Sequence, residues 1–502
     1  MLEGLLIGVE NVFDFSSLAA IALGVLWGII GGMIPGINAT IAMALLLPFT
    51  WGMEPVNAIL LLAGVYCGGE YGGSIPAILI GTPGTTAAAA TTIDGYELHK
   101  QGKTGIALGT SLISSSFGGF LSALVLMFVA IPLASVALKF GPSEYFALAI
   151  AGLTLICSLG GRNVFKGLLA GAIGIFVATI GYDPMNGIPR YTFGSLHLAD
   201  GFEMIALMMG LFAVSELLSQ AQELSGDAEF NIVGEVDTRL PGWNVIKTFL
   251  PTSFFSSLMG VVIGAMPGVG ASTACWVAYS ETKRWSKDGD TFGKGNIKGV
   301  AAPEAANNAV TGGALVPLLA LGIPGSNSTA IMLGALMIHN VQPGPLLFTR
   351  QPEIPYSIFI SLLVANIFML IMGYFIVKLA IKVTKISKPI LFASIMTLVF
   401  TGSFAYSGET FSILVTIGFG LLGYLMKKFT IPYTATVLGF VLGFIMEANL
   451  RRALLISKGN WTEALFNSGI STTLIILAVL AFVGTTYQNL KKPVDIDTSV
   501  KA

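Results

Sequence analysis

Residues 15–53, 104–138 and 305–349 contain not one Asp, Glu, Lys or Arg. A helix needs about 20 apolar residues to cross the hydrocarbon of a bilayer, so each of these tracts has room for two crossings. Further charge-free tracts at 55–69, 71–93, 248–280, 389–408, 410–426, 429–446 and 464–490 extend the pattern over most of the chain. Only 11% of the 502 residues are charged, against roughly 25% in soluble proteins. Water is therefore not the main solvent. A net charge of −1 excludes a basic surface for polyanions. The tracts are rich in Leu, Ile, Ala and Gly and lack the period-2 alternation of outer-membrane strands. The expected fold is an all-α integral membrane protein with about 10–13 transmembrane helices.

The chain repeats itself. Met33-Ile34-Pro35-Gly36-Ile37-Asn38-Ala39-Thr40 aligns with Ala265-Met266-Pro267-Gly268-Val269-Gly270-Ala271-Ser272, and Gly81-Thr82-Pro83-Gly84-Thr85-Thr86 aligns with Gly322-Ile323-Pro324-Gly325-Ser326-Asn327. In each half a Gly-Gly pair (72–73, 312–313) and a proline (Pro76, Pro317) precede the second motif. The longest polar stretch falls near the midpoint. The expected organisation is a first transmembrane repeat over 1–218, a polar linker over 219–246, a second repeat over 247–490 and a short polar tail over 491–502. Gly28-x-x-x-Gly32 and Gly260-x-x-x-Gly264 have the small-residue spacing that lets two helix backbones touch, which we read as packing within the chain.

Basic residues favour cytoplasmic loops. Trp51-Gly52-Met53-Glu54-Pro55, after the first motif of half one, has no Lys or Arg, whereas the same place in half two carries Lys283, Arg284, Lys287, Lys294 and Lys298. After the second motif the bias reverses: half one has Lys100 and Lys103, and half two has His339-Asn340-Val341-Gln342-Pro343 before Arg350. Opposite bias at equivalent places is the mark of inverted-topology repeats. Arg451, Arg452 and Lys458 do not follow this map.

The Pro-Gly motifs carry the chemistry. Proline removes a donor and glycine permits left-handed backbone, so each motif predicts a broken helix or re-entrant hairpin inside an apolar tract. Such breaks are tolerated at membrane depth where they line a watered cavity. There they offer helix N-termini to anions and free carbonyls to cations. The candidate substrate-binding residues are Pro35, Gly36, Asn38 and Thr40; Gly84, Thr85 and Thr86; Pro267, Gly268 and Ser272; and Pro324, Gly325, Ser326, Asn327 and Ser328. Adjacent amides at Asn307 and Asn308 need partners in their apolar surroundings and join the same set. Glu70 and Glu304, ionisable groups bordered by apolar tracts, are candidates for ion coupling, with helix capping as the plainer alternative. Asn38 and Asn327 could stand beside a Na⁺ held by carbonyls at the breaks. Glu447 and Arg451 have the spacing of an i,i+4 helix pair.

Enzyme signatures are poor. Gly102-Lys103-Thr104 ends like a P-loop, but Glu97 stands where the first glycine is required. Neither HExxH nor GxSxG occurs. Three scattered histidines and three cysteines in apolar sequence (Cys67, Cys157, Cys275) suggest neither a metal site nor a disulfide framework, so no cofactor is expected.

Taken together, the motifs resemble those of the TctA family, the large membrane subunit of tripartite tricarboxylate transporters. The resemblance runs through Ile34–Thr40, Tyr71-Gly72-Gly73-Ser74-Ile75, Thr82-Pro83-Gly84-Thr85 and Phe140-Gly141-Pro142-Ser143-Glu144-Tyr145-Phe146. It continues in Asp183-Pro184 with Gly187-Ile188-Pro189-Arg190-Tyr191, Met266–Ala271, Gly299–Asn308, Gly322–Ser326 and Gln342-Pro343-Gly344-Pro345. It implies a multi-pass secondary transporter of the bacterial inner membrane. Such a protein would work with a small four-helix membrane subunit and a periplasmic solute-binding protein, taking up citrate or another carboxylate with Na⁺ or H⁺ as the coupling ion. The alternatives are a passive anion channel and an intramembrane enzyme acting on lipid.

Overall fold

A computed structural model describes residues 1–34, 36–159, 164–183, 185–222, 240–383 and 388–491. Pro35, residues 223–239 of the expected linker, and 492–502 of the expected tail lie outside the described residues. The chain is essentially all helix. In order it forms α1 (Leu2–Val12), α2 (Phe15–Met33), α3 (Ala39–Leu46), α4 (Pro55–Gly72), α5 (Ser74–Ile80), α6 (Ala89–Lys100) and α7 (Thr104–Ala137). Then come α8 (Pro142–Leu159) and α9 (Val164–Ala178), followed by a small antiparallel pair, β1 (Gly181–Tyr182) and β2 (Pro189–Arg190). Next are α10 (Met204–Met208), α11 (Ser215–Gln222), α12 (Trp243–Gly264), α13 (Gly270–Trp285), α14 (Ile297–Leu321) and α15 (Asn327–Ile338). The chain closes with α16 (Leu347–Arg350), α17 (Glu353–Val383), α18 (Lys388–Ser407), α19 (Thr410–Lys428), α20 (Tyr433–Ile456), α21 (Trp461–Leu465) and α22 (Gly469–Lys491).

Among the described residues, nine helices are long and apolar enough to cross a bilayer. Others are not: Ala39–Thr50 and Asn327–Ile338 are apolar, but 12 residues rise only about 18 Å, well short of the roughly 30 Å of hydrocarbon. Both short helices follow a Pro-Gly motif.

Two compact units arise, one from Met1–Lys139 with Glu203–Leu425, the other from Phe140–Phe202 with Met426–Ala502. Within the larger unit, glycines allow backbone contact between long helices. A Cβ on Gly28 would fall 2.4 Å from the Val65 carbonyl oxygen of α4, and one on Gly260 would fall 2.4 Å from the Ala306 carbonyl oxygen of α14. Both small-residue motifs are thus spent inside the chain, as expected. The smaller unit packs α9 along α20 and closes one end with charges. Arg451 donates to Asp183 at 2.7 Å, Arg190 to Glu447 at 2.5 Å, and Arg451 also meets Glu447 at 2.7 Å in the i,i+4 pair. The Asp183 carboxyl is held below its ordinary range by the Met185 backbone N–H and by Arg451.

Loops at the ends of the larger unit meet in pairs. Gln101 beyond α6 donates to the Lys294 carbonyl at 2.8 Å. Nearby, the buried Asp94 of α6 accepts the backbone N–H groups of Gly293, Gly295 and Asn296 at 2.7–2.9 Å and the Tyr279 hydroxyl at 2.8 Å. Lys298 pairs with Asp288 at 2.7 Å and holds that carboxyl below its usual range. Elsewhere, His339 Nε2 and the Thr50 hydroxyl lie 3.3 Å apart. The two lysine-bearing loops therefore adjoin each other, and the two lysine-free ones do likewise.

Candidate functional site

Each Pro-Gly motif marks the end of one helix and the start of another. In half one α2 stops at Met33 and α3 starts at Ala39; in half two α12 stops at Gly264 and α13 starts at Gly270. The second motifs separate α5 from α6 and α14 from α15. Glycine is needed at these turns because the backbone is left-handed there. Gly36 has φ +91° and its counterpart Gly268 +82°; Gly81 has +68° and its counterpart Gly322 +76°. Equivalent glycines of the aligned motifs thus share a left-handed backbone.

Three of the four new helix starts meet local polar side chains, whereas α13 begins after Val269 without a side-chain cap. Asn38 caps α3 by accepting the Ile41 N–H at 3.0 Å. Thr85 Oγ1 accepts the Ala88 N–H at 3.2 Å just ahead of α6. Ser326 and Thr329 form a reciprocal capping box on α15. These caps leave other N–H groups of the first turn without intrahelical partners, and the positive ends of the helix dipoles coincide with the turns.

The four turns are joined in a ring. Within half one the Gly36 N–H donates to the Gly84 carbonyl at 3.3 Å; within half two the Gly268 N–H donates to the Gly325 carbonyl at 3.2 Å. Between halves, the hydroxyls of Thr40 and Ser328 share a hydrogen bond of 2.9 Å, and those of Thr86 and Ser272 one of 2.8 Å. The first motif of each half thus meets the second motif of both halves. Close approach requires glycine: a Cβ on Gly84 would stand 2.4 Å from the Gly32 carbonyl oxygen, and one on Gly325 would stand 2.7 Å from that of Gly264. Asn38, Thr86 and Asn327 are exposed, while Gly36, Pro267, Gly268, Ser272 and Ser326 are half-buried. Thr40, Gly84, Thr85, Pro324, Gly325 and Ser328 are buried around them. Pro35 lies outside the described residues.

Glu70, Glu304, Asn307 and Asn308 lie inside helices close behind the turns: the Gly84 N–H donates to the Gly73 carbonyl at 3.0 Å, and the next residue, Ser74, donates to Glu304. Glu304 is fully buried in α14, away from the helix start, so capping does not account for it. Its carboxylate accepts hydroxyls from Ser74 and Thr91 at 2.5 Å each and from Ser111 at 2.9 Å. Glu70 is buried near the C-terminal end of α4. Asn307 donates to the Glu70 backbone carbonyl at 2.9 Å. Asn308 donates to Ser115 Oγ and Met369 Sδ, both at 3.3 Å.

Sequence reasoning missed several participants. The Tyr66 hydroxyl lies 3.0 Å from Ser326 Oγ, and Gln220 donates to the Gly36 carbonyl at 2.9 Å. Ser74, Thr91 and Ser111, which enclose Glu304, are ordinary hydroxyls in apolar helices. The repeat offset could have singled out Tyr66, because it aligns with Asn307 on the spacing that relates the second motifs.

Comparison with known proteins gives the following. The model of the Tripartite tricarboxylate transporter TctA family matches residues 18–438. An uncharacterised 52.8 kDa protein in the TAR-I ttuC' 3' region of Agrobacterium vitis is 35% identical over 460 residues, covering 92% of this chain and 91% of that protein. An uncharacterised protein in the TAR-II ttuC' 3' region of the same bacterium is 34% identical over 227 residues, covering 44% of this chain and 94% of that protein.

Proposed function

Because the chain belongs to the tripartite tricarboxylate transporter TctA family and is a multi-pass protein of the inner membrane, we propose that it imports a tricarboxylate or related carboxylate at the expense of a Na⁺ or H⁺ gradient. It is a secondary transporter subunit, and in this reading a periplasmic solute-binding protein delivers the substrate and a small four-helix membrane subunit completes the complex.

The ring of four turns is the observation that carries the reading. Helix starts bring unspent N–H groups and positive dipole ends to one place, and a carboxylate is the ligand such groups favour. Gly36, Asn38 and Thr40, with Gly84, Thr85 and Thr86, would receive it from half one. Pro267, Gly268 and Ser272, with Pro324, Gly325, Ser326, Asn327 and Ser328, would receive it from half two. Backbone N–H, hydroxyl and amide groups would bind the anion without a fixed charge that held it too tightly for release. Glu70 and Glu304 are the groups through which a proton would couple, and Asn38 or Asn327 would stand beside a cation at the breaks. The pairing of loops, basic with basic and lysine-free with lysine-free, supports halves of opposite orientation.

Uptake of radiolabelled citrate and shorter dicarboxylates into proteoliposomes, with the partner subunits present, tests the proposal. Accumulation against a concentration gradient should require an ion gradient, and Asn327→Ala or Thr86→Val should lower it by about tenfold or more, the effect of losing one or two hydrogen bonds to a charged ligand. Passive equilibration independent of any ion gradient would establish a channel instead. Full uptake in both variants would remove the ring as the binding site.

A further inference from the structure

Beyond the ring, α6 and α13 run on from the turns that Thr86 and Ser272 join, and they end in the lysine-bearing loops. Along them lies an apolar cluster in which Ala87 and Ala90 of half one meet Cys275, Tyr279 and Phe292 of half two. Asp94 follows this cluster on α6. It is fully buried, and its two oxygens have separate duties. Oδ1 accepts the backbone N–H groups of Gly293, Gly295 and Asn296, whereas Oδ2 accepts the Tyr279 hydroxyl at 2.8 Å. The first oxygen anchors the carboxylate to the loop before α14; the second holds α13. Glycine makes the room: a Cβ on Gly299 would stand 2.1 Å from Oδ2, and Gly293 and Gly295 present their N–H groups from left-handed backbone, with φ of +85° and +92°.

Among the described residues no Lys or Arg pairs with Asp94, and the nearby Lys298 is taken by Asp288. A carboxylate bound only by neutral donors can give one of them up without stranding an opposite charge in the interior. While made, a hydrogen bond to a carboxylate is stronger than the neutral hydroxyl contact of Thr86 with Ser272. Oδ2 is therefore the firmer of these two holds on α13. That helix is packed on one side. Its residues Ala274, Cys275, Ala278, Tyr279 and Thr282 are buried, but Trp276, Val277 and Ser280 are exposed, so movement away from α6 meets no packed layer on the far side.

We infer that the Tyr279–Asp94 hydrogen bond is a latch that keeps α13 against α6, seals the ring from the side of the lysine-bearing loops, and parts when the carboxylate solute leaves on that side. The inference rests on the reading that the ring receives a transported solute, and it names the closure that reading leaves unassigned. Neither residue belongs to the ring. Asp94 is five residues beyond Ala89 at the start of α6, and Tyr279 nine beyond Gly270 at the start of α13, which places them roughly 8–14 Å along their helices. Both are positioning residues that act on the solute through α13. Cys275 lies behind the latch, fully buried one turn before Tyr279, and water reaches it when the two helices part.

The test reads that thiol, because a maleimide alkylates only a cysteine accessible to water. The full-length protein in inside-out vesicles, which expose the face that the positive-inside rule assigns to these loops, is treated with a membrane-impermeant maleimide. Peptide mass spectrometry follows Cys275, with the buried Cys67 and Cys157 as controls. Tyr279→Phe removes the latch and leaves the anchor of Asp94 intact. Gly299→Ala presses a methyl group on Oδ2 and leaves both partners in place, so a folding failure in either variant does not remove the test. Each should speed labelling of Cys275 about tenfold or more, the effect of losing one hydrogen bond to a charged group, with Cys67 and Cys157 unlabelled. In proteoliposomes with the partner subunits, each should also raise the half-saturating citrate concentration, because fewer molecules stand ready to receive solute from the opposite side. Unchanged labelling of Cys275 in the variants that fold would overturn the latch. Labelling of all three cysteines together would assign the bond to overall stability and overturn it as well. Wild-type citrate uptake tests the broader reading separately: uptake with Cys275 unreactive in both variants keeps the transporter and removes the latch. Selective labelling of Cys275 without any wild-type uptake keeps the seal and removes the transporter.

Discussion

Glu304 shows how a single acidic residue is accommodated where helices exclude water. Three hydroxyls from α5, α6 and α7 converge on its two oxygens, so the carboxylate ties four helices together. Hydrogen bonds to a charged group are worth about 1.5–3 kcal/mol each. Glu304→Gln keeps the shape but replaces one acceptor oxygen with a donor, which opposes at least one of the three hydroxyls. The expected result is a folded protein of lower thermal stability whose citrate uptake falls at least about tenfold and no longer follows the imposed ion gradient. Proteoliposome uptake with and without the gradient checks it. At the other extreme of environment stands Asp183. Its folded-state carboxyl is held below the ordinary value by the Met185 N–H and Arg451, so the unfolded chain binds more protons as pH falls through that range. The stability contributed by the network with Arg190, Glu447 and Arg451 is therefore fully present above the ordinary carboxylate value and is lost as pH falls below it. The near-ultraviolet circular dichroism from Tyr182 and Tyr191 should stay constant from about pH 8 to pH 5 and change only below about pH 4. A transition near pH 6 would assign control to another group.

Helix ends, more than helix faces, organise the larger unit. Because Gly84 and Gly325 occupy corresponding motif positions and each presses on a glycine carbonyl at the end of α2 or α12, Gly32 and Gly264 respectively, Gly84→Ala and Gly325→Ala should have similar effects. Each forces a methyl group against backbone, a strain of about 1–3 kcal/mol, and each should reduce uptake in parallel with a lowered unfolding temperature. A large effect in one variant and none in the other would mean that the two turns are not equivalent in use. The helix ends at these turns were readable in the sequence, since Pro-Gly in a charge-free tract has few meanings and two motifs recur in the same order. The hydroxyl cage was not readable. Ser and Thr in membrane helices usually bond back to their own helix, as Ser257 Oγ does to the Ser253 carbonyl and Thr273 Oγ1 to that of Val269, and nothing local distinguishes Ser111 from these.

For the molecule as a whole, the sequence divides the chain along its length, whereas packing gathers it into units that each combine segments from both sides of the central polar stretch. Periodicity and charge-free length identify helices because both are local properties. Partner choice is not local: the offsets show that Thr40 corresponds to Ser272, yet only the folded chain brings Thr40 to Ser328 and Thr86 to Ser272. Paired cysteines test that arrangement. Thr86→Cys with Ser272→Cys, and separately Thr40→Cys with Ser328→Cys, should form disulfides under mild oxidation, seen as a mobility change on electrophoresis after cleavage of the 223–239 segment by an inserted protease site. Each cross-link should block uptake and reduction should restore it. The native cysteines are buried and provide a quiet background. Among the described residues, the side-chain hydrogen bonds between halves at the ring are the neutral hydroxyl contacts Thr40–Ser328, Thr86–Ser272 and Tyr66–Ser326, each worth only about 1 kcal/mol net. A fastening so slight can be undone by thermal motion or by an arriving oxygen atom that takes one hydroxyl for itself, so the solute would loosen the clasp by the same gesture with which it is grasped.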